Sequence, residues 1–203
     1  MKMDFEKLSK LRPQLSRSLE FLARRFIVCA RALVRKRKSR YPNIILVAPT
    51  FPGSVGDAAM LAGFTQTFRN SYKGSITLLD HSYENDWPKD IVFDKRIPAH
   101  NLLSWFSKRS ILQLIPDFIR CDGLFIIGAD IIDGTYNPNR AVSRLQLMKF
   151  VHSTGCNVTL CGSSMSESPS TKVTSLLRQM PKDCQLIARD PVSKERFSEF
   201  FPG

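Results

Sequence analysis

From Asn43 onward the chain alternates short apolar runs with segments of helical period, and this order constrains the fold more than any other feature. The apolar runs are IILVA (44–48), SITLLD (75–80), GLFIIGAD (123–130), NVTLCGSS (157–164) and QLIARD (185–190). Between and after them lie helical patterns over 57–70, 100–118 (broken before Pro116), 139–155 (ended by Gly155), 168–180 and 191–201, the last opening on Pro191. Strands alternating with helices at this spacing argue for a parallel sheet, whose crossovers need a connection as long as a helix. The expected fold is therefore α/β: a Rossmann-like parallel sheet with helices on both faces. With 203 residues, 43% of them hydrophobic, there is material for one substantial core. The division expected is a basic leader over 1–42 and a Rossmann-like lobe over 43–203.

The net charge of +12 is confined largely to that leader. Residues 1–40 hold 13 Lys/Arg against 3 Asp/Glu, a net +10, and residues 41–203 hold 17 against 15, a net +2. Leu11, Leu15, Leu19, Leu22, Phe26, Cys29 and Leu33 recur at helical spacing and form one stripe. Arg17, Arg24, Arg31 and Arg35 are expected on the opposite side, with Pro13 in the first turn. Arg24, Arg25 and Arg31 interrupt the apolar run, so the segment is not a bilayer span, and it lacks the cleavage site of a signal peptide. Two readings remain: a helix lying on an anionic membrane surface through residues 11–40, or a helix packed on the lobe with its arginines in water. No aromatic platform accompanies the basic run RKRKSR, so nucleic acid is not an expected partner.

Cys29, Cys121, Cys156, Cys161 and Cys184 show no C-x-x-C spacing, which indicates neither a zinc site nor a disulfide framework and makes a reducing cytoplasm the simpler setting. His81, His100 and His152 are far apart in sequence and are expected as surface or partly buried histidines rather than metal ligands.

In a parallel sheet ligands bind beyond the carboxyl ends of the strands, so the chemistry is sought at 49–57, 81–86, 128–136, 162–168 and 189–193. The first exit, PTFPGSVGDAA, fits neither G-x-G-x-x-G nor the Walker loop. There Gly53 and Gly56 are expected to allow unusual backbone or close ligand approach, and Ser54 with the first helical amides to hold hydroxyl or anionic groups. Asp57 either caps the helix or meets an acceptor hydroxyl. At GADIIDG, Asp130 and Asp133 form a carboxylate pair suited to base catalysis or sugar hydroxyls, while Asp133 before Gly134 also suits a turn. The CGSSMSES exit offers Gly162, Ser163, Ser164 and Ser166, with hydroxyls and amides for an anion or for helix capping. Arg189 ends an apolar strand, either as an anion fork or in a salt bridge with a neighbouring Asp.

Taken in order, GSVGDAA, IIGADIIDG, the GSS strand end and ARDPVS resemble the polysaccharide pyruvyl transferase family, over residues 43–203. The resemblance implies transfer of pyruvyl from phosphoenolpyruvate to two hydroxyls of a saccharide as a cyclic ketal, in cell-surface polysaccharide biosynthesis. It implies no cofactor beyond that donor. It further implies one lobe of a two-lobed architecture like that of B-type glycosyltransferases, the second lobe lying beyond this chain. Arg189 matches the family's signature arginine and is the expected contact to the donor's anionic groups. Asp57 and Asp130 are expected at the acceptor hydroxyls as catalytic groups, and Gly53, Ser54, Gly56, Gly128, Asp133, Ser163 and Ser164 as substrate-binding positions. One departure from the pattern is GAD, where members often carry a run of glycines. A saccharide or lipid-linked glycan would be the acceptor, which places the protein in the cytoplasm, peripheral on the inner membrane face. Two other readings fit the same residues: a glycosyltransferase-like enzyme using a nucleotide sugar, and a non-catalytic, one-lobed binding protein at the membrane.

Overall fold

The structure, a computed structural model, describes residues 5–35, 41–49, 54–81, 84, 86–129 and 132–202. Of the expected site residues, Gly53 and Asp130 lie outside the described residues. The elements are α1 (Phe5–Arg35), β1 (Asn43–Val47), α2 (Val55–Ser71), β2 (Ser75–Asp80), β3 (Lys95–Pro98), α3 (His100–Trp105), α4 (Lys108–Gln113), α5 (Ile115–Arg120), β4 (Gly123–Ala129), α6 (Pro138–His152), β5 (Asn157–Ser163), α7 (Thr171–Leu177), β6 (Gln185–Ala188) and α8 (Pro191–Ser198).

All six strands run parallel in the order β3-β2-β1-β4-β5-β6, the doubly wound order of a Rossmann-like fold. The chain winds outward from β1 through β2 to β3, then returns to the middle and winds the other way through β4, β5 and β6. This reversal puts helices on both faces. Alternate side chains of β1 divide accordingly: Ile45 and Val47 enter a large core with residues of α1 and α3 to α8, whereas Ile44, Leu46 and the following Ala48 enter a smaller one. The smaller core is closed by Leu61 and Phe68 of α2 and by Trp87 and Ile91 of the β2–β3 connection. Full burial of each such side chain contributes about 1.5–3 kcal/mol, so the continuous apolar runs of β1 and β4 are a main source of stability.

Three features depart from the pattern expected of the sequence. β3 carries no apolar run; KRIP is a four-residue edge strand, a position where a proline and charged side chains are tolerated. The segment 100–118 forms three short helices rather than one, because Phe106 takes a left-handed conformation (φ 49°) and Ser107 restarts the chain before α4. Pro116 lies in the first turn of α5, where its missing N–H costs nothing.

The leader differs more. The helix begins at Phe5, so Pro13 lies in its interior and not in its first turn. The side packed on the lobe is formed by Ala23, Ile27 and Arg31, which are buried. Arg31 is not solvated: its guanidinium donates to the carbonyls of Phe118 (2.8 Å), Cys121 and Gly155 (3.3 Å). Glu20 adds an ion pair with Lys108 on α4 at 2.7 Å. Of the expected apolar stripe, by contrast, Leu19, Leu22, Phe26, Cys29 and Leu33 are exposed. Beneath Arg31 the thiols of Cys121 and Cys156 come within 3.2 Å, a proximity their spacing did not announce. Burial raises the pKa of the Cys121 thiol. Among the described residues no helix is long and apolar enough to cross a membrane.

Candidate functional site at the carboxyl edge of the sheet

The order of the strands places the topological switch between β1 and β4, and the helices that follow these two strands, α2 and α6, both start at this edge. The amino ends of their helix dipoles give the edge a positive potential. Ser54 caps α2, its Oγ accepting from the Asp57 N–H at 3.3 Å, and Asn137 caps α6 by accepting from the Arg140 N–H at 3.1 Å. Ser54 is thus the cap, and Asp57 stands in the first helical turn with a partly exposed side chain. Gly56 lies within the same turn and has no left-handed backbone, so conformational freedom does not account for it. Among the described residues a Cβ there would meet nothing closer than Ser54 Oγ at 3.7 Å, so their packing does not require a glycine.

Gly128 and Ser163 answer to each other. A Cβ on Gly128 would fall 1.6 Å from Ser163 Oγ, and Ser163 is completely buried against β4. Gly128 is therefore needed for packing, and Ser163 is closed off while Ser164 retains partial exposure. The amides after β5, expected to be open to an anion, are already engaged. Ser164 N–H donates to the Ala129 carbonyl (3.0 Å), Met165 N–H to Ser193 Oγ (3.1 Å), and Ser166 N–H to Asp133 Oδ2 (3.3 Å).

Asp133 is buried and fully occupied by this work. Its carboxylate accepts from Thr135 N–H at 2.9 Å and Thr135 Oγ1 at 2.8 Å as well as from Ser166, while its own carbonyl accepts from Ser170 N–H. It joins the β4 exit to the β5 exit through a turn closed at Gly134, whose φ of 76° requires glycine.

The R-D-x-x-S segment separates into two parts. Asp190 caps α8, accepting from Ser193 N–H (2.7 Å) and Ser193 Oγ (2.9 Å); the Ser193 N–H is the main reason its carboxyl pKa is lowered. Ser193 Oγ also receives the Met165 N–H, so this pair fastens α8 to the β5 exit. Arg196 reinforces the join through the Met165 carbonyl (2.9 Å) and Glu167 (2.8 Å). Arg189 joins the edge through its backbone N–H to the Ser163 carbonyl (2.9 Å), its charge helps to lower the Asp190 carboxyl pKa, and its side chain is exposed.

A buried polar cluster under the exits of β1 and β2 escaped the sequence reading. Asp80, wholly buried at the end of β2, accepts from Trp87 Nε1 (2.6 Å), from Arg96 Nε and Nη2 (3.1 and 2.7 Å) and from the His81 N–H (2.7 Å). The Arg96 guanidinium pairs with this buried carboxylate and offsets part of the cost of its burial. Arg144 of α6 is also wholly buried and binds the carbonyls of Leu103, Arg140, Ala48 and Pro49, thereby fixing the start of the first-strand loop. Its Nη2 meets His81 Nε2 at 3.2 Å, and His100 lies edge-on with ring centroids 5.7 Å apart. Burial, then the charge of Arg144, lowers the His81 pKa to about 3. Burial lowers the Arg144 pKa to about 9, which leaves it cationic at neutral pH. One signal was present in the sequence: Arg144 shares a helix face with Ala141 and Met148, both buried.

The strand order and this polar edge define a Rossmann-like α/β fold whose carboxyl edge is rigidly internally bonded, with Gly56, Asp57, Ser164 and Arg189 left at its surface. No family model matches the chain, and no curated protein matches it significantly.

Proposed function

We propose that this chain is the first lobe of a pyruvyl transferase acting on a saccharide, with phosphoenolpyruvate as donor and a cell-surface glycan or its lipid-linked precursor as acceptor. One observation carries the reading. The four segments that resemble the family follow β1, β4, β5 and β6, which are consecutive neighbours in the sheet, so all four meet along one edge. In the proposed reaction the enol carbon of the donor is protonated, two sugar hydroxyls add to the adjacent carbon, and inorganic phosphate leaves. Such a step needs cations for phosphate and carboxylate and a base for a sugar hydroxyl. Arg189 and the amino ends of α2 and α6 supply the positive potential, and Asp57 is the described carboxylate at the acceptor side. Gly56 supports close approach of a sugar, since among the described residues none would crowd a side chain there. The same reading puts the protein in the cytoplasm, on the inner membrane face where lipid-linked acceptors are assembled.

The strand order supports a second reading, a glycosyltransferase-like protein with a nucleotide-sugar donor, because this order is also that of dinucleotide-binding sheets. The test is to offer the full chain phosphoenolpyruvate with a panel of acceptor glycans, following ketal formation by mass spectrometry and donor binding by calorimetry. Saturable donor binding with a pyruvylated product is expected. Saturable binding of a nucleotide sugar, with none of phosphoenolpyruvate, selects the second reading.

A further inference from the structure

The apolar stripe on α1 is the largest feature of the fold that the lobe does not use. Ala23, Ile27 and Arg31 take the contact with α5 and the α6–β5 turn, yet Leu19, Leu22, Phe26 and Leu33 stand 46%, 61%, 59% and 70% exposed. At about 100° per residue these four cluster roughly a third of a turn from the docked side, so the helix carries two distinct faces. Arg31 keeps the docked face in place, since its guanidinium is held by three backbone carbonyls.

We infer that the second face lies on an anionic lipid bilayer, with Leu19, Leu22, Phe26 and Leu33 inserted at the boundary between headgroups and acyl chains. The charge of the segment selects this occupant. Residues 1–40 carry a net +10 while the rest of the chain carries +2, and α1 itself (Phe5–Arg35) holds 8 Lys/Arg against 2 Asp/Glu, a net +6, so the element that bears the exposed stripe is strongly cationic. A second copy of the chain would bring the same concentration of positive charge against it; a surface of acidic lipids neutralises it. The arginines beside the stripe are also arranged for an interface. Arg25 lies over the Phe21 ring, 5.3 Å from its centroid, an apolar stem and ring topped by a cation. This surface is argued from α1 alone and holds or fails independently of the chemistry at the strand exits.

Flotation of the full chain with vesicles tests it, comparing phosphatidylcholine alone with an equimolar phosphatidylcholine–phosphatidylglycerol mixture. The chain is expected to float with the anionic vesicles, to remain below with the neutral ones, and to be released as salt is raised. The double variant Leu22→Asp, Phe26→Asp alters two exposed side chains, so its melting transition should match the parent while its vesicle affinity falls by about tenfold or more. Failure of the parent to float with anionic vesicles overturns the inference, as does equal flotation of the folded double variant. Concentration-dependent self-association that the double variant abolishes would overturn it in favour of a second copy on the same face.

Discussion

Arg144 Nη2 donates to His81 Nε2 across 3.2 Å, and both side chains are buried beneath the exits of β1 and β2. Because the arginine has no acceptor, Nε2 must be the unprotonated nitrogen and the ring proton must sit on Nδ1. The same guanidinium gathers the carbonyls of Ala48, Pro49, Leu103 and Arg140, joining the first-strand loop to α3 and α6. Arg144→Met retains the bulk but removes the side-chain donor to the carbonyls of Ala48, Pro49 and Leu103. It is expected to lower unfolding free energy by about 3 kcal/mol, read as a shift of the urea midpoint at unchanged slope.

The histidine makes stability depend on pH in a defined window. Its pKa is about 3 in the folded chain against 6.5 for a free side chain, so the unfolded state binds the extra proton first. Stability is therefore complete above 6.5 and is lost as pH falls from there toward 3. The carboxyls with lowered pKa, Asp94, Asp183 and Asp190, have an ordinary value of 3.8, so they contribute at the acid end of this window and little at its upper end. His81→Gln, which keeps an acceptor for Arg144, should flatten the upper part of the stability–pH curve in urea titrations. An unchanged slope there would show that another group is responsible.

Ala129 ends β4 with φ 44°, a left-handed conformation that costs an L-residue roughly 1–2 kcal/mol. Ala129→Gly relieves that strain while losing a buried methyl worth about 0.8 kcal/mol, so the two effects nearly cancel. Ala48→Gly, at an equally buried alanine without positive φ, has no strain to relieve. The Ala129 variant should be the more stable of the two by about 1–2 kcal/mol in parallel denaturant melts. Ala129 is the middle residue of GAD, and its backbone is one that glycine adopts freely.

Much of the architecture was legible because buried parallel strands write themselves as continuous apolar runs. SITLLD is β2 without adjustment, and the β4 and β5 runs overshoot by a single residue each. β3 was not legible, since KRIP is an edge strand held by pairing with β2 and by the ion pairs of Lys95 and Arg96 rather than by an apolar run. The leader shows a different limit. Its strongest apolar period marked Leu19, Leu22, Phe26 and Leu33, whereas the lobe is held by Ala23, Ile27 and a desolvated arginine. Periodicity reports that a face is apolar; it does not report what covers that face. At the site, the cluster of Asp80, His81, Arg96 and Arg144 was invisible because its members are spread over β2, β3 and α6 and meet only through the sheet order.

Within R-D-x-x-S, the aspartate and serine fasten α8 to the β5 exit, whereas the arginine is exposed. Ser193→Ala removes a hydroxyl bonded to both Asp190 and Met165 N–H, and should cost about 1–2 kcal/mol of stability. Arg189→Ala, at an exposed side chain, should change stability by less than about 0.5 kcal/mol. Thermal melts of the two variants side by side check the contrast.

The most direct measurement is calorimetric titration of phosphoenolpyruvate into the full chain and into Arg189→Ala at matched fold stability. The account predicts saturable binding by the parent and a loss of about tenfold or more in affinity for the variant, the share of a charge-assisted contact to the donor's anionic groups. Equal binding by both, or none by the parent, would contradict it.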